Sequence, residues 1–384
     1  MNNKLGLYIH IPFCERKCNY CSFLSFPLGE NTRREYVDVL IEEIKNNGKV
    51  LGNDFVVDTV FIGGGTPSLL EPELIGKILD TVREYFNLDS DVEITMESNP
   101  NSLDELKLMR YRKYGINRLS IGIQSFDDKV LKTLGRVHNS YQAVKAYYAA
   151  RNAGFENINI DLMFGIPGQN EAVWHETMEK AIELNPDHIS FYSLQIEEGT
   201  PFYNDYKNEK LPFVENSLMD NMYNMAVKRF KDAGYVHYEI SNTSKKGKSC
   251  RHNIKYWKLE PFLGFGAGAS SYINGFRCEN PDDLEHWKSL VLSNDAGYEE
   301  VEIHTETREE AMSVFVFTGL RMVEGIDLNL FKDKFDVSFE SVYKEKMEYL
   351  KNMENEGYLE MSKDRIRLTE KGILISNDIM CEFV

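Results

Sequence analysis

The sequence has 384 residues, of which 42% are hydrophobic and 12% aromatic, enough to bury one large core and a smaller second one. Its formal net charge is −17, from 61 acidic and 44 basic residues. Such an acidic surface repels phosphate backbones and anionic headgroups, so we expect neither nucleic-acid nor membrane-surface binding. No stretch approaches the roughly 18 consecutive apolar residues of a membrane span, and no signal peptide is recognisable. We therefore expect a cytoplasmic protein.

The six cysteines divide into a cluster and a scattered set. Cys14, Cys18 and Cys21 lie within eight residues, and the others stand at positions 250, 278 and 381. This distribution does not form a disulfide framework. In a reducing compartment, clustered thiols indicate metal or redox chemistry.

The first half of the chain alternates between short apolar runs and amphipathic segments. Six such strand–helix units in a row require parallel strands joined by right-handed crossovers. The predicted strands are Leu5–Pro12, Val57–Gly65, Val92–Pro100, Ile116–Ser125, Asn157–Gly168 and His188–Gly199. The predicted helices are Thr32–Asn47, Glu71–Phe86, Leu103–Tyr114, Ser140–Ala153, Glu171–Leu184 and Asn216–Ala233.

Polar residues and glycines collect at the C-terminal ends of these predicted strands. In a parallel barrel those ends converge on one face, whereas in an open doubly wound sheet they would spread along an edge. We therefore predict an α/β fold with a partial (β/α)6 TIM-like barrel over residues 1–235. The strand-end residues are Gly63–Thr66, Glu97, Gln124, Asp161 and Gln195.

The pattern changes from Tyr235 onward. Residues 236–300 are predicted to be a connecting region rich in glycine and aromatic residues. Residues 301–384 are predicted to form an α+β, winged-helix-like domain with helices Thr305–Met322 and Phe339–Glu356, a hairpin over Gly357–Thr369 and a final helix to about Cys381.

DNA binding by residues 301–384 is disfavoured, because 11 basic and 18 acidic residues give this segment a net charge of 11 − 18 = −7. We expect it to be structural or to cover the barrel.

The clustered cysteines follow the first predicted strand with the spacing C-x3-C-x2-C. Thiolates suit iron–sulfur clusters, and three ligands leave one iron of a cubane open to a chelating ligand. A zinc site without its fourth ligand and three unrelated buried thiols are the alternatives. The spacing predicts a [4Fe-4S] cluster on Cys14, Cys18 and Cys21.

A glycine triplet, Gly63–Gly65, ends the second predicted strand and is followed by Thr66. Glycines let backbone groups approach a ligand closely, and a threonine hydroxyl adds a hydrogen bond. Alone, such a triplet is more often a tight turn. Its position after a cysteine loop makes it a candidate binding element.

Together these motifs resemble the radical S-adenosylmethionine (SAM) superfamily. The C-x3-C-x2-C loop after the first strand is that family's signature, and the surrounding Tyr-Ile-His-Ile-Pro-Phe-Cys is similar to the branch containing oxygen-independent coproporphyrinogen III dehydrogenase. The resemblance implies that the open iron binds SAM. One-electron cleavage of SAM then gives methionine and a 5′-deoxyadenosyl radical.

The resemblance also implies which residues contact SAM. The glycine motif would hold the methionine amino group, and Glu97 would hold a ribose. Gln124, Arg136 and Asp161 resemble ligands of a second SAM, with an Arg136–Asp161 ion pair as the structural alternative. The predicted SAM-binding residues are Tyr8, Gly64, Gly65, Thr66, Glu97, Gln124, Arg136 and Asp161.

Two functions of this branch differ in sequence. The dehydrogenase carries a further cysteine two residues after the third cluster cysteine and a long N-terminal extension, whereas this sequence has Phe23 at that position and a short N-terminus. The HemW-type haem chaperones carry His-Asn-x-x-Tyr-Trp, which resembles residues 252–257. His252 could ligate haem iron, and Tyr256 and Trp257 could supply flat apolar surface. Ordinary packing of these residues is the alternative.

The resemblance therefore predicts a haem chaperone that binds a [4Fe-4S] cluster, SAM and haem and delivers haem to apo-haemoproteins such as respiratory proteins. The first alternative is oxygen-independent coproporphyrinogen III oxidation, and the second is another radical SAM reaction on a tetrapyrrole, such as anaerobic haem ring opening. Arg16 and Lys17 make the cluster loop basic, so an acidic flavodoxin or ferredoxin is the expected electron donor. A merely solvated loop is the alternative to that docking role.

Overall fold

The structure, a computed structural model, describes residues 4–26, 29–212, 214–273, 275–293 and 303–384. Its strands are β1 (Lys4–Ile11), β2 (Val56–Gly64), β3 (Asn87–Ser98), β4 (Arg118–Gln124), β5 (Ile158–Phe164), β6 (His188–Ser193), β7 (Val236–Glu239), β8 (Asn242–Ser244), β9 (Phe262–Phe265), β10 (Ser270–Ile273), β11 (Phe276–Glu279), β12 (Ile303–Thr305), β13 (Ile326–Asp327), β14 (Leu359–Met361) and β15 (Arg365–Leu368). Its helices are α1 (Glu30–Leu51), α2 (Pro72–Tyr85), α3 (Glu105–Lys113), α4 (Asp128–Thr133), α5 (Ser140–Asn152), α6 (Glu171–Leu184), α7 (Pro201–Lys207), α8 (Asn216–Asp232), α9 (Arg251–Trp257), α10 (Leu284–Leu292), α11 (Arg308–Gly319), α12 (Leu328–Phe335), α13 (Phe339–Val342), α14 (Met347–Asn355), α15 (Glu370–Ile373) and α16 (Ser376–Cys381).

The predicted parallel strands form the centre of one large sheet. Strands β1 to β6 are neighbours in chain order and pair in parallel, as a partial (β/α)6 barrel requires. Such strands are covered on both faces, which explains why all seven residues of β4 are buried. The Glu97 carboxyl on β3 lies near enough to Asp161, two strands away on β5, for the two charges to interact. The predicted fold class is confirmed.

Strands from the connecting region extend this sheet at both edges. Strand β9 pairs in parallel with β1, and β10, β11 and β12 follow it as antiparallel neighbours. At the other edge β8 pairs antiparallel with β6, and β7 pairs with β8. The predicted domain boundary at residues 300 and 301 lies outside the described residues.

The predicted helix over Thr32–Asn47 was too short at both ends. The helix α1 continues through Gly48 to Leu51 because the glycine lies against a neighbouring helix. A Cβ atom at Gly48 would stand 2.5 Å from the Cβ of Tyr85 at the end of α2. Glycine therefore serves close helix packing here, and it does not end the helix.

The C-terminal region combines helices with a small sheet in the order β13–β15–β14, and the predicted hairpin is its β14–β15 pair. The single predicted helix over Phe339–Glu356 was wrong, since α13 and α14 are separated by a break at Tyr343. There the rings of Phe339 and Tyr343 pack together with centroids 4.8 Å apart, beside Phe331 of α12. Aromatic packing thus overrides the helical periodicity. The predicted final helix is likewise two helices, α15 and α16.

Across the described residues, none of the helices combines the length and the apolar character needed to cross a bilayer.

Candidate functional site

The cysteine loop leaves the end of β1 and returns to it. The amide of Phe26 donates to the carbonyl of Pro12 at 2.7 Å, and the amide of Cys14 donates to the carbonyl of Phe26 at 3.2 Å. These bonds close the base of the loop like a short strand pair. The loop is also tied to the barrel, because the amide of Asn19 donates to the carbonyl of Leu134 at 3.0 Å. The three thiols are therefore held at the mouth of the barrel.

The cysteine sulfurs are half-buried, free of disulfides and close to hydrogen-bond donors. The Cys14 Sγ lies 3.6 Å from the Thr66 hydroxyl, and Arg136 Nη1 donates to the Cys18 Sγ at 3.4 Å. Burial raises the pKa of the Cys21 thiol. Hydrogen bonds of this kind stabilise thiolate ligands and tune the potential of an iron–sulfur cluster.

The three thiols fit a cubane better than a single ion. Within the described ranges, no three His, Cys, Asp or Glu side chains converge as a mononuclear metal site. A [4Fe-4S] cluster binds each thiolate to a different iron, so its ligands need not converge on one point. An all-sulfur donor set beside a cationic guanidinium also suits an anionic cluster. The residues present therefore fit this cofactor.

The end of β2 passes against the cluster loop with no room for side chains. Gly64 has φ of +110°, and a Cβ there would lie 2.6 Å from the His10 ring. A Cβ at Gly65 would lie 2.6 Å from the carbonyl oxygen of Phe13. Both glycines are thus required, and the predicted close backbone approach is present.

A bridge of polar side chains joins the glycine motif to Arg136. The Asn99 side-chain amide donates to Thr66 Oγ1 at 2.9 Å and accepts from Arg136 Nη2 at 2.6 Å. Arg136 also donates to the carbonyl of Gly122 at 2.5 Å. Asn99 was not predicted as a site residue from the sequence. Its position two residues after Glu97, at a C-terminal strand end, was the available signal.

Glu97 is half-buried, and its carboxyl lies in the pocket. Its Oε2 accepts from the amide of Gly64 at 3.0 Å. Burial, followed by the nearby charge of Asp161, raises the pKa of Glu97 to about 8. Burial, followed by the nearby charge of Glu97, raises the pKa of the Tyr8 phenol. A ligand that offers hydroxyl donors or positive charge would favour the ionised form of Glu97.

The residues predicted for a second SAM lie on β4, β5 and the chain after α4. Gln124 has φ of +67° and accepts from the hydroxyl of Tyr192 at 2.9 Å. Asp161 accepts from Ser120 at 3.0 Å and from Asn159 at 2.7 Å. The suggested Arg136–Asp161 ion pair does not occur, because each side chain bonds to the other partners given above. The structure thus brings all eight predicted SAM residues to the barrel mouth or its interior.

The residues predicted to contact haem lie at the other end of the barrel. The His252 ring is fully buried, and its Nδ1 bonds to Thr59 Oγ1 at 2.8 Å. Thr59 precedes Gly64 by five positions on β2, about 16 Å along an extended strand. The His252 Nε2 bonds to the hydroxyl of Tyr256 at 2.8 Å, so neither ring nitrogen is free to ligate iron. This geometry does not fit the predicted axial ligation.

The residues next to His252 in the motif also form contacts within the protein. Arg251 forms an ion pair with Asp91 at 3.0 Å, so it does not offer a free guanidinium to a propionate. The Trp257 ring packs under the guanidinium of Arg321, whose centre lies 4.4 Å from the ring centroid. The helix α9 therefore closes the lower end of the barrel with its aromatic side chains.

Comparisons with known proteins agree with this fold and loop. Residues 8–181 match the Radical SAM superfamily, and residues 307–375 match the HemN C-terminal domain. A parallel barrel with a three-cysteine loop at its mouth defines the class of radical SAM proteins. Members of that superfamily use a [4Fe-4S] cluster and SAM.

The particular family follows from the curated relatives. The chain is 35% identical over 378 residues to "Heme chaperone HemW" of Bacillus subtilis, with 98% of each chain covered. It is 40% identical over 271 residues to the protein of the same name in Escherichia coli, with 70% of each covered. The chain belongs to the HemW family of radical SAM proteins.

A solved structure shares the fold. The Escherichia coli radical SAM enzyme coproporphyrinogen III oxidase (HemN) aligns with a TM-score of 0.86 at 23% identity, covering 100% of this chain and 90% of that one. At this identity the likeness concerns the fold alone.

We predict that each of the three loop cysteines is needed for the cluster. Replacing Cys14, Cys18 or Cys21 with Ala should abolish the broad cluster absorbance and the bound iron after anaerobic reconstitution. The controls Cys278→Ala and Cys381→Ala should leave the iron content unchanged, because both residues lie outside the loop. A full complement of four irons in any of the three loop variants would contradict the assignment.

The raised pKa of Glu97 predicts a pH-dependent stability of the ligand-free protein. The folded pKa of about 8 lies above the ordinary value of 4.5, so this group stabilises the fold at low pH and loses that contribution as pH rises toward 8. Asp161, Arg118 and Tyr8 interact with the Glu97 carboxyl and are present in both the wild type and the variant, so they do not account for a difference between the two profiles. The thermal midpoint of Glu97→Gln should therefore fall less than that of the wild type between pH 6 and pH 8.5. Parallel pH profiles would reject the buried, protonated state.

Proposed function

We propose that the chain is a haem chaperone, which binds haem and passes it to apo-haemoproteins. The observation that carries this proposal is the end-to-end similarity to the Bacillus subtilis protein, which covers 98% of both chains. The cluster loop agrees with it, because Phe23 stands where the dehydrogenase branch is expected to carry a further cysteine. Phe23 is 68% exposed. We further propose that the protein works in the cytosol.

In this proposal Cys14, Cys18 and Cys21 would hold the cluster, and SAM would bind to its open iron. The cluster and SAM together would supply the one-electron cleavage of the SAM sulfonium. Thr66 and Arg136 stabilise thiolates through the contacts described above. The Gly64–Gly65 backbone leaves space for the methionine portion, and Glu97 accepts hydrogen bonds from a ribose. Tyr8, Gln124 and Asp161 complete the polar pocket.

An open cavity beside the cluster loop offers the apolar surface that haem needs. It has a volume of about 270 Å³ and is lined in part by Leu194, Ile196, Tyr203, Tyr206 and Met219. Ile196 and Tyr206 are 37% and 45% exposed, so a planar ring could lie against them from solvent. Tyrosine and methionine are also known ligands of haem iron. We propose this cavity as the surface that the porphyrin contacts.

The cavity is attached to the cluster loop through α7. The amide of Phe202 donates to the carbonyl of Asn19 at 3.0 Å, and Tyr20 packs against the apolar cluster that contains Phe202 and Leu194. Haem bound there would lie beside the loop that holds the cluster. Because of this placement, haem binding could alter the position of the cluster loop.

The alternative function, coproporphyrinogen III oxidation, has support from the fold alone. The matching oxidase structure is only 23% identical to this chain. A shared fold does not establish a shared reaction. Since no observation of the pocket favours decarboxylation, the chaperone remains the proposed function.

We expect the reconstituted protein to bind haem and to leave coproporphyrinogen III unconverted in the presence of SAM and a strong reductant. Tyr206→Ala should weaken haem binding by roughly tenfold to a hundredfold, since a lost apolar contact of this size is worth about 1–3 kcal/mol. Tyr148→Ala is the matched control, because Tyr148 is a half-exposed tyrosine on α5, a helix that contributes no residue to the cavity lining. Absorbance titration and product analysis measure both effects. SAM-dependent formation of protoporphyrinogen IX would overturn the chaperone proposal.

Electron entry provides a separate test, since we propose a flavodoxin or ferredoxin as donor. Arg16 and Lys17 are exposed on the cluster loop of an otherwise acidic protein, so they would attract an acidic donor. The double variant Arg16→Glu/Lys17→Glu should be reduced more slowly by flavodoxin at low salt and show weaker salt dependence in stopped-flow measurements. Lys344→Glu/Lys351→Glu makes the same charge change on the C-terminal region and should not slow reduction. Equal rates for both double variants would reject docking at the loop.

A further inference from the structure

Five aromatic side chains form a continuous column through the barrel, from α9 to the cluster loop. We call Tyr256, His252, Phe61, Tyr8 and His10 the central column. The hydroxyl of Tyr256 bonds to His252 Nε2 at 2.8 Å, and the His252 ring stacks on Phe61 with centroids 5.2 Å apart and an interplanar angle of 26°. The Phe61 ring lies at 27° to the Tyr8 ring, with centroids 6.3 Å apart. Tyr8 then bonds to His10 Nδ1 at 2.9 Å.

The lower end of the column is fixed by buried hydrogen bonds. Thr59 Oγ1 and His252 Nδ1 share one of these bonds. In addition, the carboxylate of Glu93 on β3 accepts from the amides of Arg251 and His252 at 3.3 and 3.2 Å. These bonds orient the first turn of α9 inside the barrel. The His252 ring is thereby fixed in both position and rotation.

The upper end of the column reaches the cluster loop. The His10 Nε2 bonds to the carbonyl of Leu24 at 3.2 Å. A carbonyl only accepts, so Nε2 carries the hydrogen, and burial lowers the pKa of His10, which keeps the ring neutral. The His10 Nδ1 must then accept from the Tyr8 hydroxyl. The Tyr8 oxygen is left as an acceptor for any donor in the pocket.

The middle of the column is the floor of the SAM pocket. A Cβ at Gly63 would lie 2.9 Å from the Phe61 ring and 3.0 Å from Glu97 Oε2, so Phe61 and Glu97 flank the same stretch of backbone. Tyr8 and Phe61 are half-buried. Displacement of Phe61 would therefore alter the surface on which the ligand rests.

We propose that His252 and Tyr256 are positioning residues for SAM, which act through Phe61 and Tyr8 and do not ligate haem. This inference rests on the proposed function in that SAM binds beside Glu97. It assigns the His-Asn-x-x-Tyr-Trp segment to the support of the pocket floor. Haem binding is then independent of His252.

The test compares variants that separate the two interactions of the His252 ring. His252→Ala removes the stacking and both hydrogen bonds, His252→Gln can restore a hydrogen bond, and His252→Phe can restore the stacking. SAM affinity of His252→Ala should fall by roughly tenfold, the factor that corresponds to about 1.4 kcal/mol. The electron paramagnetic resonance (EPR) spectrum of its reduced cluster should also respond less to a fixed SAM concentration. His252→Gln and His252→Phe should each recover part of the affinity.

A matched control comes from the same helix. Trp257→Ala removes the contact with Arg321 but no member of the column, so at a comparable loss of thermal stability it should keep wild-type SAM affinity. Haem titrations of all variants should match the wild type. An equal loss of SAM affinity in Trp257→Ala, unchanged SAM affinity in folded His252→Ala, or loss of haem binding in His252→Ala would overturn the inference. Absence of SAM binding by the wild-type protein would instead reject the proposed function.

Discussion

At the end of β2, the backbone of Gly64 lies directly against His10 and that of the following Gly65 against Phe13, at distances that exclude any side chain. This close approach fixes the base of the cysteine loop relative to the polar pocket. It also turns the Gly64 amide toward Glu97, which accepts its hydrogen bond at 3.0 Å. A ligand that bridges an open iron and a ribose-binding carboxylate needs both groups at a fixed separation. The glycine contact supplies that constraint.

The interior of the barrel is polar, and each buried charge there raises the cost of folding unless it is paired or hydrogen-bonded. Arg118 is buried, and Glu97 and Asp161 are half-buried near it; both carboxyls have raised pKa values, chiefly because desolvation disfavours their charged forms. Arg118 offsets part of this cost by its charge. Such a pocket is less stable empty than filled, since a cationic ligand with hydroxyl donors would satisfy groups that are now strained by desolvation. We therefore expect the ligand-free barrel to be less stable than the ligand-bound barrel.

Much of this arrangement could be predicted from the sequence because it depends on local patterns. The alternation of apolar runs and amphipathic segments identified the six parallel strands, and α6 was predicted at Glu171–Leu184 with its observed bounds. Strand-end polarity identified Glu97, Gln124 and Asp161. Asn99 follows the same strand-end pattern, but its bonds to Thr66 and Arg136 depend on the fold. The break at Tyr343 could not be predicted in this way, because the Tyr343 ring also packs against Phe383, far away in the chain.

The position of His252 shows the limit of motif-based interpretation. A histidine followed by tyrosine and tryptophan has the chemistry to bind haem, but chemistry alone does not reveal accessibility. In the structure the ring is fully buried and both nitrogens are bonded. The motif therefore packs inside the lower end of the barrel. The open cavity near Tyr206, by contrast, has an exposed apolar surface that a porphyrin could contact.

The central claim is that the three cysteines and the pocket beside Glu97 form one site, in which SAM binds the open iron. EPR spectroscopy of the reduced, reconstituted protein tests this most directly. Addition of SAM should shift the g-values of the cluster in the wild type, and Glu97→Ala should require a higher SAM concentration for the same shift. A protein that carries four irons but whose spectrum does not respond to saturating SAM would contradict the account.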